Sequence, residues 1–82
     1  MVTVKFFNLL RSKYGIKKFE VLPGTINDIL LQIKKMYPQV DLKDFELSVI
    51  FVNGNRVIHQ AMYHKHVEDG DDLVFTHFVG GG

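Results

Sequence analysis

The residues best suited to chemistry in this sequence are the glycines at its end. Gly80, Gly81 and Gly82 follow a stretch of alternating apolar residues. Without side chains they form a thin thread with a single carboxylate, that of Gly82, at its tip. A nucleotide-consuming partner could activate this carboxylate as an acyl-adenylate. We expect Gly80 and Gly81 to thread into the partner's narrow active site, whereas a frayed end without function is the alternative.

Other side chains that could do chemistry do not complete a site. His64 and His66 form a His-x-His pair that could bind a metal, but the chain has no cysteine and no His-Glu-x-x-His motif. The acidic run of residues 68–72 lacks the spacing of a calcium-binding loop. Exposed imidazoles and a solvated turn are the simpler interpretations. We therefore predict no metal site and no self-contained catalyst.

The composition indicates one small domain with its own core. The 82 residues are 46% hydrophobic and include no cysteine, so folding depends on a packed interior and not on disulfides. The formal net charge is +1 and charges of both signs are mixed along most of the chain, which argues against nucleic acid as a partner. No apolar run approaches the roughly 20 residues that span a membrane, and the first residues do not resemble a signal peptide. A cytoplasmic location without a membrane partner is expected.

Two strands are predicted in the first part of the chain. Residues 2–7 alternate with a period of two, and so do residues 16–22, where Phe19 and Val21 are predicted to face inward. Residues 8–14 are compatible with either a short helical turn or a loop. Because only this segment separates the strands, we expect them to form an antiparallel hairpin.

Residues 25–37 have the pattern of an amphipathic helix. Thr25 can cap the first turn, and Asp28 three residues later completes a capping box. Apolar residues then recur at spacings of three and four, until Pro38 prevents the helix from continuing. This stripe is predicted to pack on the sheet, and it consists of Ile26, Ile29, Leu30, Ile33 and Tyr37.

The second half of the chain predicts further strands. Residues 47–52 are an apolar run typical of a central strand, and Asn53-Gly54 is a strong hairpin signal. A short strand is predicted at residues 56–58 and a last one at residues 73–79. The order predicts an α+β domain over residues 1–78, with a mixed sheet of four to five strands and one main helix on one face. Residues 79–82 are predicted to be a flexible glycine tail.

This combination of features resembles the β-grasp (ubiquitin-like) sulfur carriers. The resemblance covers the whole chain and rests on the element order, the Asn53-Gly54 hairpin, the Glu68–Leu73 turn and the terminal Gly81-Gly82. Thr3–Phe7 followed by Leu10-Arg11 is most similar to the opening of the molybdopterin synthase small subunits. The resemblance therefore implies a β-grasp fold.

The resemblance also implies partners and roles. An E1-like adenylating enzyme would use ATP to activate Gly82, and a sulfurtransferase would supply the sulfur of its thiocarboxylate. In molybdenum cofactor biosynthesis the tail then inserts into the molybdopterin synthase large subunit, where the sulfur builds the dithiolene. The chain would be a non-catalytic subunit without a bound cofactor of its own. Its docking surface would be the apolar part of the sheet, formed by Val49, Phe51, Phe75 and Phe78.

Alternatives remain at this stage. His77-Phe78 and Gly80 stand where molybdopterin synthase small subunits often carry a Pro-Pro pair and a Ser or Ala. Related β-grasp carriers use the same tail for thiamine synthesis or tRNA thiolation, or as ubiquitin-like modifiers of lysines. An interaction module whose glycines have no chemical role is a further possibility.

Overall fold

The chain forms a mixed β-sheet with its longest helix packed on one face. The computed structural model describes residues 1–46, 48–57 and 63–77. In chain order the elements are β1 (Val2–Phe7), α1 (Asn8–Tyr14), β2 (Lys18–Val21), β3 (Gly24–Thr25), α2 (Ile26–Met36), α3 (Lys43–Glu46), β4 (Ser48–Val52), β5 (Asn55–Val57), β6 (His66–Val67) and β7 (Asp72–His77).

The main sheet has five strands in the order β2-β1-β7-β4-β5. β1 and β7 run parallel, whereas β1–β2, β4–β7 and β4–β5 are antiparallel pairs. The predicted N-terminal hairpin is confirmed by the pairing of Val4 with Phe19. The mixed sheet with one main helix agrees with the predicted α+β class.

Helix α2 has the predicted cap and buried face. The Asp28 backbone N–H donates to Thr25 Oγ1 at 3.1 Å, and the Thr25 N–H donates to Asp28 Oδ2 at 3.1 Å, which completes the capping box. Ile26, Ile29 and Ile33 are fully buried against the sheet. The helix ends at Met36, two residues before Pro38, as the restriction on the residue preceding proline requires.

The core lies between α2 and the sheet and is centred on three phenylalanines. The Phe6, Phe45 and Phe75 rings lie 5.0–6.2 Å apart between centroids, mostly edge to face. In the described part of the chain no polar or charged side chain is buried. No helix among the described residues is long and apolar enough to cross a membrane.

The Asn53-Gly54 hairpin forms as predicted between β4 and β5. Both residues have positive φ, 51° at Asn53 and 83° at Gly54, the combination that favours this dipeptide in tight hairpins. The Asn53 side chain also bonds to the acidic turn, where its Nδ2 donates to Asp71 Oδ1 at 2.8 Å and its Oδ1 accepts from the Asp72 N–H at 2.8 Å. This side chain joins the two turns at one end of the sheet.

Two parts of the fold were not predicted as they are. The ambiguous segment after β1 is a helix, α1, which ends at Gly15 with a left-handed φ of 67°. The sequence predicts no strand between residues 58 and 73, yet His66–Val67 forms β6 and pairs with Gly24–Thr25 of β3. Leu10 is the one buried residue of α1, and β3 and β6 have two residues each. None of these three elements therefore has a hydrophobic period that can be recognised in the sequence.

Candidate functional site

The predicted chemical group lies beyond the part of the chain that the structure describes. Residues 78–82, which include Phe78, Gly80, Gly81 and Gly82, are outside the described residues. Their predicted roles as docking residue, threading glycines and activated terminus therefore stay predictions. What the structure does place is the strand that leads to them. β7 lies between β1 and β4 in the sheet and ends at His77.

The end of β7 lies beside the beginning of α1. β1 and β7 run parallel with Phe7 opposite Thr76, so both strands end on the same side of the molecule. Asn8 Nδ2 then donates to Thr76 Oγ1 at 2.8 Å, which ties the first residue of α1 to the end of β7. The chain that continues after His77 therefore starts next to α1. We call the surface around this point, formed by α1, α3 and residues 15–18, the tail-root surface.

Val49 and Phe51 lie on the sheet face opposite α2, which we call the outer face. Register places Phe51 opposite Val74 and Val49 opposite Thr76, and all four side chains are partly exposed. Thr76 is flanked by Val49 of β4 and, on its other side, by Phe7 at the end of β1, which is 45% exposed. The outer face thus presents a contiguous apolar surface close to the tail-root surface.

The assignment of Phe75 to the docking surface is wrong. Its side chain is fully buried, and its strand partners Phe6 and Ile50 also belong to the core. Successive side chains of a strand point to opposite faces, so Val74 and not Phe75 lies on the outer face with Phe51. Val74 and Phe7 were missed in the sequence. The signal that could have found them is the alternation of their strands, since Leu73 and Phe6 are clear core positions.

Two lysines border the apolar part of the outer face. Lys5 and Lys18 are directly opposite each other in the β1–β2 pair. Lys5 Nζ lies 3.6 Å from the Asp72 carboxylate, an exposed ion pair of small energetic weight. The apolar centre of the outer face is therefore bordered by Lys18 and by the Lys5–Asp72 ion pair.

An open cavity of about 320 Å³ lies on the tail-root surface between α1 and α3, lined by Leu9, Leu10, Ser12, Lys13 and Asp44. Asp44 accepts hydrogen bonds from Lys13 Nζ at 2.8 Å and from the Tyr14 hydroxyl. The hydrogen bond to Asp44 raises the pKa of Lys13, and burial followed by the same carboxylate raises the pKa of Tyr14. The hydrogen bonds to Asp44 join α3 to α1.

The acidic turn is an ordered structure at the opposite end of the sheet. Asp71 accepts from Asn53 and from the Glu68 N–H, and these hydrogen bonds lower the pKa of its carboxyl. The described residues contain no group of three or more His, Asp or Glu side chains that could hold a metal. His64 and His66 are both exposed, and His66 pairs with Thr25 in the β3–β6 ladder.

Comparisons with known proteins agree with this architecture. The sequence matches the model of the ThiS family over residues 4–82. No curated protein matches it. Among solved structures, the small archaeal modifier protein SAMP1 of Methanosarcina acetivorans is 26% identical with a TM-score of 0.80, and 99% of this chain and 95% of that chain are covered.

Two further structures are similar over nearly the full length. A putative molybdopterin converting factor, subunit 1, of Pyrococcus furiosus is 28% identical with a TM-score of 0.70, covering 95% of this chain and 97% of that one. A chain of the BexX/CysO complex of Amycolatopsis orientalis is 25% identical with a TM-score of 0.77, and both chains are fully covered, at 100%. These similarities confirm the predicted β-grasp fold.

Proposed function

We propose that Gly82 is converted to a thiocarboxylate that donates sulfur, because this chain belongs to the ThiS family of β-grasp sulfur carriers. The observation that carries the proposal is the extent of the family match, which runs to residue 82 and so includes the glycine tail. The chain then supplies the reacting group, while partner enzymes supply the catalysis.

The proposed chemistry has two steps at the carboxyl group of Gly82. The Gly82 carboxylate attacks the α-phosphorus of ATP in an E1-like adenylating enzyme, which forms the acyl-adenylate and releases pyrophosphate. The terminal sulfur of a sulfurtransferase persulfide then adds to the acyl carbon and expels AMP, which gives an acyl disulfide. A second thiol reduces this acyl disulfide, so that the thiocarboxylate is released and the two thiols are left as a disulfide. The product is a thiocarboxylate in which one oxygen of Gly82 has been replaced by sulfur.

The structure supports this proposal through the separation of binding from chemistry. β7 is an interior strand that pairs on both sides, so the starting point of the tail is fixed by two ladders of hydrogen bonds. Residues 78–82 can reach about 17 Å beyond it when extended. A partner can therefore bind the outer face through Val49, Phe51 and Val74 while Gly82 reaches an active site at some distance.

Within this role, we assign the chain to the molybdopterin pathway as the small subunit of the synthase. The similarity to the putative molybdopterin converting factor subunit of Pyrococcus furiosus, at 28% identity, supports this assignment. The large synthase subunit would dock on the outer face, and the thiocarboxylate would supply the sulfur of the dithiolene.

Mass spectrometry tests the carrier function directly. The chain is incubated with an E1-like adenylating enzyme, ATP, a persulfide-loaded sulfurtransferase and a thiol reductant, and we expect the mass to increase by one oxygen-to-sulfur exchange. Deletion of Gly81 and Gly82, which removes the terminal glycine pair, is the matched control and should abolish the change. An unchanged mass in the presence of an adenylating enzyme that is active on its own carrier would contradict the proposal.

A second candidate function is favoured by a specific similarity. The SAMP1 structure, 26% identical, is described as that of a small archaeal modifier protein. In that role the adenylate would react with a lysine amine and form an amide. Lysine-linked conjugates in cells that disappear when Gly81 and Gly82 are deleted would support this modifier function over the carrier function.

A further inference from the structure

Charges of opposite sign are separated to the two ends of the sheet. Residues 8–18 contain Arg11, Lys13, Lys17 and Lys18 and no acidic residue, whereas residues 68–72 contain four acidic residues and no basic one. The net charge of +1 conceals this arrangement. In the structure, Arg11, Lys13, Lys17 and Lys18 are all exposed.

The strand directions put the basic segment at the end from which the tail departs. β1 begins beside the acidic turn, where Thr3 lies opposite Asp72, and ends beside α1. The Phe6 N–H donates to the Lys17 carbonyl at 2.9 Å, which fixes Lys17 at that same end. Lys43 of α3 adds another exposed cation there, but the exposed Asp41, which accepts a hydrogen bond from the Lys43 N–H, partly offsets its charge. Asp44 offsets Lys13 through their ion pair, but Arg11 and Lys17 are far from the acidic turn.

An apolar anchor lies within the same surface. Leu9 is 53% exposed and lines the cavity between α1 and α3. An exposed apolar side chain beside a cavity that the charged Lys13 and Asp44 also line agrees with the usual composition of a protein-binding site, with an apolar centre and a polar rim.

We propose, on the basis of the proposed carrier function, that the tail-root surface, which meets the outer face at Lys18, is a second docking site and that it binds an acidic rim around the tail entrance of the adenylating partner. Charge complementarity argues for this occupant, because any protein that receives the tail must approach the basic end of the chain. Two separated charge clusters also orient the chain during approach, with its tail toward an acidic surface.

The length of the tail makes this compatible with ATP chemistry. Residues 78–82 span about 17 Å when extended, so the rim at the tail entrance is separate from the phosphate-binding groups of the active site. An acidic entrance and a cationic nucleotide site can therefore coexist in one partner. Rim charges chiefly determine the association rate, and a buried apolar anchor chiefly determines the dissociation rate.

The test measures binding to the full adenylating enzyme by surface plasmon resonance at low and high salt. Lys17→Glu and its combination with Arg11→Gln should lower the association rate constant by about tenfold at low salt, and much less at high salt. Lys65→Glu is the matched control, since Lys65 is an exposed lysine close to the acidic turn, and it should leave the rate within about twofold. Leu9→Ser should instead raise the dissociation rate constant.

Pyrophosphate exchange and binding to transfer RNA are measured on the same samples. Absence of exchange by the wild-type chain would overturn the carrier function, whereas exchange with equal rates for Lys17→Glu and Lys65→Glu would overturn the docking proposal alone. The docking proposal would also be overturned if the wild-type chain bound transfer RNA in a salt-dependent way while its binding to the enzyme did not depend on salt. Melting temperatures of the variants close to that of the wild type establish that they fold.

Discussion

Phe51 and Phe75 show how one position along a strand decides between binding and stability. They lie on neighbouring strands, and Phe51 is opposite Val74, the residue before Phe75. Phe75 contacts Phe6 and Phe45 in the core and is fully buried, whereas Phe51 is partly exposed on the outer face. Similar side chains in adjacent strands thus have different physical roles.

Alanine substitution should separate these roles. Phe75→Ala removes a buried ring and should lower the free energy of unfolding by about 3–5 kcal/mol. Phe51→Ala should cost about 1 kcal/mol or less because its ring is partly solvated already, but it should weaken binding to the large synthase subunit at least tenfold if the outer face docks there. Urea denaturation and calorimetric titration measure the two effects. Equal losses of stability would contradict the assignment of faces.

The error at Phe75 had a physical origin. Alternation along residues 73–79 puts Leu73 and Phe75 on one face and Val74 on the other, and the structure has this arrangement. The docking assignment came instead from the resemblance, which indicates an apolar strand but not the face of each residue. The described part of the outer face could therefore have been predicted from period-two parity alone.

Among the elements, α2 depends on both its apolar stripe and its cap. The stripe was predictable because three fully buried isoleucines recur at helical spacing over eleven residues. α1 was not, since its seven residues bury Leu10 alone. The β3–β6 pair was not either, because its partners are far apart in sequence and two residues show no alternation.

Ile29→Ala or Ile33→Ala should lower the free energy of unfolding by about 2–5 kcal/mol, because each leaves a cavity between α2 and the sheet. Leu31→Ala is the matched control, since Leu31 lies on the same helix but is 58% exposed, and its effect should stay within about 0.5 kcal/mol. Chemical denaturation of the three variants measures both. A similar loss for Leu31→Ala would show that the exposed side of α2 is covered.

The capping box should make the stability of α2 depend on acid. Hydrogen bonds from the Thr25 backbone N–H and hydroxyl lower the pKa of Asp28, with a smaller contribution from His66. A carboxyl whose folded-state pKa lies below its unfolded value stabilises the fold above the unfolded pKa, about 3.9, and loses this contribution as the pH falls through the folded pKa.

Asp28→Asn should therefore reduce the dependence of melting temperature on pH between about 5 and 2, since an amide keeps an acceptor but does not titrate. The measurement compares thermal melts of wild type and variant across that range. Asp71→Asn is an independent comparison, because its pKa is lowered by Asn53 and the Glu68 N–H at the other turn. Identical pH profiles for wild type and Asp28→Asn would show that the cap does not titrate as expected.

At the scale of the whole molecule, folding and the proposed chemistry use different parts of the chain. Among the residues that the structure describes, the fully buried side chains all lie within residues 2–75, and both ladders that hold β7 end by His77. The described fold therefore holds the start of the tail in place. The division into a domain over residues 1–78 and a tail over residues 79–82 stays a prediction from the sequence, in which no strand or helix period extends beyond residue 79.

Adding one alanine after Gly82 should abolish thiocarboxylate formation while the melting temperature changes by less than about 2 °C. The added residue moves the terminal carboxylate by up to about 3.5 Å and places a Cβ at the acyl carbon's site in the partner, whereas the core is unaffected. Mass spectrometry and calorimetry measure the two properties. Adding the alanine before Val2 is the control, because it lengthens the chain equally but leaves Gly82 terminal. A drop in melting temperature specific to the tail addition would show that the tail packs on the domain, and sulfur transfer by the extended chain would show that a terminal glycine is not required.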